Sequence, residues 1–251
     1  MVDNRMENQP PDMFDGPHGQ IAYRRRDGAG PGIVWLGGFR SDMLGTKAGF
    51  LDQWAQRRSR AFLRFDYSGH GDSSGRFEDG CIGEWATDAL TTFDALTDGA
   101  QILVGSSMGA WIAALLALQR PARVAGIVFI APAPDFTERL MWPSFTEEQR
   151  QTIEREGRLE LPGDYDEPEI ITKKLLDDGR RHLVMTGPIA ITCPVRILQG
   201  MRDTSVPWRH AVEFAELIAS NTIEITLTKA GDHRLSTPAD LERLASALEQ
   251  I

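Results

Sequence analysis

The chain has 251 residues, 41% hydrophobic and 25% charged, the make-up of a globular protein long enough to bury a core without a disulfide or a structural metal. Its 27 basic and 36 acidic side chains leave a formal charge of −9, which argues against a dedicated nucleic-acid binder, since that function needs a cationic face to displace counterions from phosphates. No apolar run approaches the ~20 residues of a membrane-spanning helix.

The opening stretch, residues 1–19, is polar and interrupted by Asp3, Glu7, Asp12 and Asp15, unlike a secretory signal or an Arg-rich transit peptide. It is expected to be a disordered leader. Cys81 and Cys193 lie far apart with no C-x-x-C, as two free thiols in a reducing compartment would; a cytoplasmic location is expected.

Ile21 and Tyr23 alternate with polar neighbours, as in an antiparallel edge pair. Short apolar runs then recur as buried strands at 32–36, 61–65, 102–104, 124–130, 195–198 and 223–227. Helical spacing fills the gaps: Phe50, Leu51 and Trp54; Trp85, Ala89, Phe93 and Leu96; Val212, Ala215 and Ile218; Leu241, Leu244 and Leu248. Residues 108–118 are apolar on nearly every side, as in a helix buried against a sheet. Such alternation predicts an α/β fold with a mainly parallel central sheet and helices on both faces. The proline-rich stretch 132–193 breaks the rhythm, carrying helical fragments at 146–155 and 169–177 and no convincing strand. Long insertions of this kind are usually functional. An inserted helical lid is expected, with the core formed by 20–131 and 194–251.

Gly105-Ser106-Ser107-Met108-Gly109 matches G-x-S-x-G between a strand and an apolar helix. A nucleophile on so tight a turn needs neighbours without side chains, and the turn sets the Ser107 hydroxyl at a helix N-terminus, where negative charge is favoured. Ser106 is out of register. A serine needs a base. Of five histidines, His18, His70, His182 and His210 lie in polar, turn or charged settings, whereas His233 follows the last strand. Asp203, just after the strand at 195–198, is the expected acid, with Asp232 a second choice because it adjoins the histidine in sequence. The order serine, acid, histidine is that of an α/β-hydrolase. Oxyanion donors are expected from the backbone N–H of Met108 and of Phe39, the latter following the glycine pair Gly37-Gly38. Arg40 either draws an anionic substrate to the pocket mouth or is simply solvated. Leu140, Met141, Trp142 and Phe145 either line an acyl pocket or anchor the lid. The glycine-rich stretch 69–75 reads as a structural turn, and no P-loop or H-E-x-x-H occurs, so no metal or other cofactor is expected.

Several stretches carry a family resemblance: Phe39-Arg40-Ser41-Asp42-Met43, Gly45-Thr46-Lys47-Ala48, Arg64-Phe65-Asp66-Tyr67-Ser68-Gly69, the serine turn through Trp111, Val206-Pro207-Trp208 and Gly231-Asp232-His233. From about residue 20 onward the chain resembles an α/β-hydrolase. Within that superfamily it resembles the mycophenolic acid acyl-glucuronide esterases, also described as palmitoyl-protein thioesterases. The resemblance implies a serine hydrolase acting on acyl esters or thioesters, with a small-molecule substrate or an acylated protein. Hydrolysis of a C–C bond by the same three residues, or a ligand sensor that has kept the pocket, are the alternatives. Because the leader lacks the targeting segment of the animal relatives, import into an organelle is not implied.

Overall fold

The computed structural model describes residues 10–165 and 167–251. Among the described residues, ten strands form two sheets. The first strands are β1 (Asp12–Gly16), β2 (Gly19–Arg26), β3 (Ala29–Leu36), β4 (Arg60–Phe65), β5 (Gln101–Ser106) and β6 (Val124–Ile130). After them come β7 (Arg158–Tyr165), β8 (Glu167–Thr172), β9 (Val195–Gly200) and β10 (Ile223–Thr228). The main sheet has eight strands in the order β1-β2-β4-β3-β5-β6-β9-β10. It is antiparallel at β1/β2 and β2/β4 and parallel from β4 to β10.

The helices explain why the parallel strands are apolar on both faces. α1 (Thr46–Arg57) and α8 (Pro238–Glu249) cover one face through Leu51, Trp54, Leu244 and Leu248, which pack on Ile33, Trp35, Ile102 and Val104. α2 (Ile82–Leu96), α3 (Met108–Gln119) and α7 (Trp208–Leu217) cover the other through Trp85, Phe93, Trp111 and Phe214. Trp85 and Trp111 are fully buried, and truncating either to alanine would cost about 3–5 kcal/mol. The mainly parallel sheet with helices on both faces, expected from the strand–helix rhythm, is the one observed.

Two expectations are corrected. Residues 12–16, assigned to a disordered leader, form the edge strand β1, with Phe14 opposite Ile21 and packed on the core. A polar composition hid it because an edge strand leaves alternate side chains in solvent. Residues 1–9 lie outside the described residues.

The insertion is not purely helical. A π-helical turn (Thr137–Met141) runs into the one-turn α4 (Trp142–Ser144) and then α5 (Glu147–Glu156), which opens on a capping box between Thr146 and Gln149. The hairpin β7/β8 follows, then α6 (Lys173–Arg181). Residues 169–172, read as helical, are strand. Leu159 stands opposite Ile171, and both are buried against Phe145, Ile153 and Leu176. A period of two with one apolar face thus overrides the helical reading.

Candidate active site

Three loops at the C-terminal ends of the parallel strands β5, β9 and β10 build the site, the end at which open α/β sheets bind ligands. Ser107 follows β5, with φ 56° and ψ −118°, a left-handed conformation that costs a serine strain. Its amide donates to the Ile130 carbonyl at 2.9 Å, and its carbonyl accepts from Ala110 and Ala133. Both glycines of the motif are sterically required. A Cβ at Gly105 would overlap the Gly109 carbonyl, and one at Gly109 would overlap the carbonyls of Leu36 and Gly37.

Gly200 explains why the next two loops meet. Its missing side chain lets the backbone of Gly231 and Asp232 press against it, and Arg202 N–H donates to the Gly231 carbonyl at 2.9 Å. Asp203 and His233 are thereby brought together. His233 Nδ1–H donates to Asp203 Oδ2 at 2.8 Å, which leaves Nε2 free to accept the Ser107 hydroxyl at 3.1 Å. The Asp203 carboxylate is fully buried. Burial alone would push its carboxyl up, but hydrogen bonds from His233, the Val206 amide and Gln199 outweigh that and hold it below the usual range. Asp232, the second-choice acid, instead accepts from the Leu235 amide at 3.0 Å and fixes the turn.

The remaining histidines lie elsewhere. His18 pairs with Asp88 at the hairpin turn, His210 Nε2–H donates to the Pro134 carbonyl, and the His182 carbonyl accepts from Trp111. His70 sits among Tyr67, Phe77 and Trp85, where burial pushes its imidazole down to about 4. The glycine-rich turn around it is pinned by Ser73 Oγ, which donates to the Asp66 carbonyl. Asp66 itself accepts from the amides of Met43 and Asp72, yet burial raises its carboxyl to about 6.

The loop after β3 runs against the serine. A Cβ on Gly38 would lie 3.4 Å from Ser107 Cβ. Ser41 Oγ donates to the Gly38 carbonyl, and the Phe39 ring is held edge-on by Phe77, Trp85 and Phe136. The Phe39 amide is therefore carried on a fixed backbone beside Ser107. The Met108 amide opens α3, where no helical carbonyl precedes it.

A cavity of about 850 Å³ opens over Ser107 and His233, within the range of small-molecule sites. Phe39, Arg40, Met108 and Val206 form its floor, and the insertion supplies Phe136, Leu140, Met141, Phe145, Leu161 and Ile171. Arg40 borders it as an exposed residue, with the guanidinium 4.9 Å from the centre of the Phe77 ring, within cation–π distance. Trp142 departs from the acyl-pocket expectation. It faces the outer side of the insertion, flanked by Arg150 and Arg180, and meets Phe145 edge-on. Phe145 both lines the cavity and belongs to the insertion's small core.

Gln199 escaped the sequence reading. Its Nε2 donates to Asp203 Oδ2 and to the carbonyls of Gly200 and Val206, so it fixes the acid from below. Its position at the end of the strand before Asp203 was the available signal.

Residues 33–247 match the alpha/beta hydrolase family. The chain is 36% identical to palmitoyl-protein thioesterase ABHD10 of Bos taurus, over 92% of this chain and 76% of that protein. A crystal structure from Agrobacterium vitis S4 superposes with a TM-score of 0.90 at 42% identity, covering 96% of this chain and 99% of the other. Mouse alpha/beta hydrolase domain-containing protein 10 superposes with a TM-score of 0.88 at 33% identity, covering 96% and 98%. The cytoplasmic expectation is corrected by these relatives: the cattle, mouse and human proteins are named as mitochondrial, which points away from the cytoplasm. Two free thiols, Cys81 and Cys193, select no compartment. The chain belongs to the alpha/beta hydrolase family and is a hydrolase.

Proposed function

We propose that this chain cleaves carboxylic esters or thioesters of small to medium acyl groups through an acyl-enzyme on Ser107. The observation that carries this reading is the hydrogen-bonded line from Ser107 Oγ through His233 to the buried Asp203, at the floor of a cavity whose walls mix apolar and polar side chains. Ser107 Oγ attacks the acyl carbon as its proton passes to His233 Nε2. The oxyanion is held by the amides of Phe39 and Met108, and Asp203, kept ionised, stabilises the imidazolium. Collapse breaks the C–O or C–S bond, with His233 returning its proton to the leaving oxygen or sulfur. Water then gives up a proton to His233 and attacks the acyl-enzyme, releasing the acid and restoring the Ser107 hydroxyl.

The core is 20–131 and 194–251 together with the β1 edge, and 132–193 acts as a lid. The acyl chain lies along Leu140, Met141 and Phe145. Thioester cleavage is favoured by the relatives' name, palmitoyl-protein thioesterase, and the substrate is a small acyl compound or an acylated protein. The direct test combines labelling by a fluorophosphonate probe with kcat/KM over p-nitrophenyl esters of graded chain length and acyl thioesters. Wild type should label and turn over both classes, while Ser107→Ala should do neither; an unlabelled, inactive wild type overturns the reading.

A further inference from the structure

Lys47 occupies an unfavourable place. It is the second residue of α1, where the helix dipole repels a cation, and it is half-buried. Its ammonium reaches across to the loop that carries His233 and donates to the Arg234 carbonyl at 2.5 Å. That loop is strained, since Leu235 has φ 44°, a left-handed conformation costly for a leucine. Strain of this kind persists only where the surroundings hold it. Leu235 is buried, its amide donates to Asp232, and the Arg234 carbonyl also accepts from Ser236 Oγ. Lys47 is the cationic member of this set.

We propose that Lys47 is a positioning residue for hydrolysis: by gripping the carbonyl next to His233, it keeps the strained loop 231–237 in the conformation that presents the imidazole to Ser107. This rests on the reading of Ser107 and His233 given above. The charged groups acting on Lys47 are Asp232 and Arg234 from the loop and Asp240 from α8. Burial lowers its ammonium to about 8; Asp232 and Asp240 favour the charge and Arg234 opposes it. As pH rises through that value the grip loses its charge-assisted character and the imidazole is held less firmly.

The test compares wild type, Lys47→Met and Lys47→Arg on one ester and one thioester between pH 6 and 10, with thermal unfolding and fluorophosphonate labelling in parallel. In Lys47→Met, kcat should fall about 10- to 100-fold, the loss typical of a misplaced catalytic group, with KM little changed. Wild type should lose activity on an alkaline limb centred near pH 8, and that limb should be missing from both variants. Lys47→Arg, which keeps charge and donor, should recover most of the rate. An unchanged kcat in Lys47→Met, or a loss that merely tracks its unfolded fraction, overturns the inference. Persistence of the limb in Lys47→Arg does so too, even if Lys47→Met does not fold. In each of those cases a wild type that labels and turns over leaves the proposed function standing; an inert wild type overturns both.

Discussion

The floor and the roof of the cavity are held by different means. Ser107, Asp203 and His233 each follow a strand in the parallel part of the main sheet, whose neighbours are locked in register, Leu36 opposite Gly105 and Gly105 opposite Phe129. Cores on both faces of that sheet hold the strands that these residues follow. The roof has a separate small core of Phe145, Ile153, Leu159, Ile171 and Leu176. It is fastened to the body by apolar and polar contacts together: Phe136, Leu175, Val184, Met185 and Ile189 belong to the main core, Asp178 accepts from the Gly83 amide at 2.6 Å, and Lys174 pairs with Glu84. On the proposed function, the chemistry belongs to the sheet and much of the cavity's shape to the insertion.

The comparison breaks if substitutions in the roof damage chemistry as much as those in the floor. The largest effect is expected for Asp203→Asn, which should lower kcat by about 10³- to 10⁴-fold because the imidazole loses its orienting anion. Asp232→Asn should stay within several-fold of wild type. The reverse ranking, measured by steady-state kinetics, would reassign the acid.

A second contrast concerns pH and stability. His70, in the body, has its folded value depressed to about 4 against an ordinary 6.5, so its contribution is present above pH 6.5 and lost as pH falls toward 4. Asp66, raised to about 6, acts in the opposite sense: the folded state binds its proton more tightly, and stability is gained as pH falls from 6 toward 3.8. The two partly cancel in the wild type. His70→Asn, which keeps a donor for the Ser68 carbonyl, removes only the first. Between pH 7 and 5 its unfolding free energy should therefore gain about 2 kcal/mol relative to wild type. Parallel denaturation curves at the two pH values would refute this.

The smallest effects belong to the roof. Phe145→Ala should change the ratio of kcat/KM between long and short acyl chains by about 10-fold, the scale of a few methylene contacts. Trp142→Ala, on the outer side, should leave that ratio within about twofold on the same scale. Equal effects from the two would mean that the cavity wall is not where this geometry puts it.

Much of the floor was legible because its constraints are local. A strand, a turn that admits no side chains and a buried helix can be seen in consecutive residues, and the adjacency of Asp232 to His233 in sequence favoured Asp203 as the acid. The roof was less legible. Leu159, Leu161 and Ile171 alternate over too short a span, cut by Pro162, to announce a hairpin, and Trp142 and Phe145 look alike until packing turns one inward and the other outward. Lys47 and Gln199 were passed over because each acts through a backbone or carboxylate distant in sequence or across a turn.

The amino-acid sequence by itself determined the fold class, the strained serine turn and the residue types able to move its proton, because hydrophobic periodicity and glycine sterics act between near neighbours. Tertiary structure decided which carboxylate meets the imidazole, which aromatic side chain lines the cavity, and that the polar N-terminal stretch pairs as an edge strand. Those outcomes depend on contacts between distant segments, and no periodicity along the chain encodes which partner a side chain will meet once the sheet has closed.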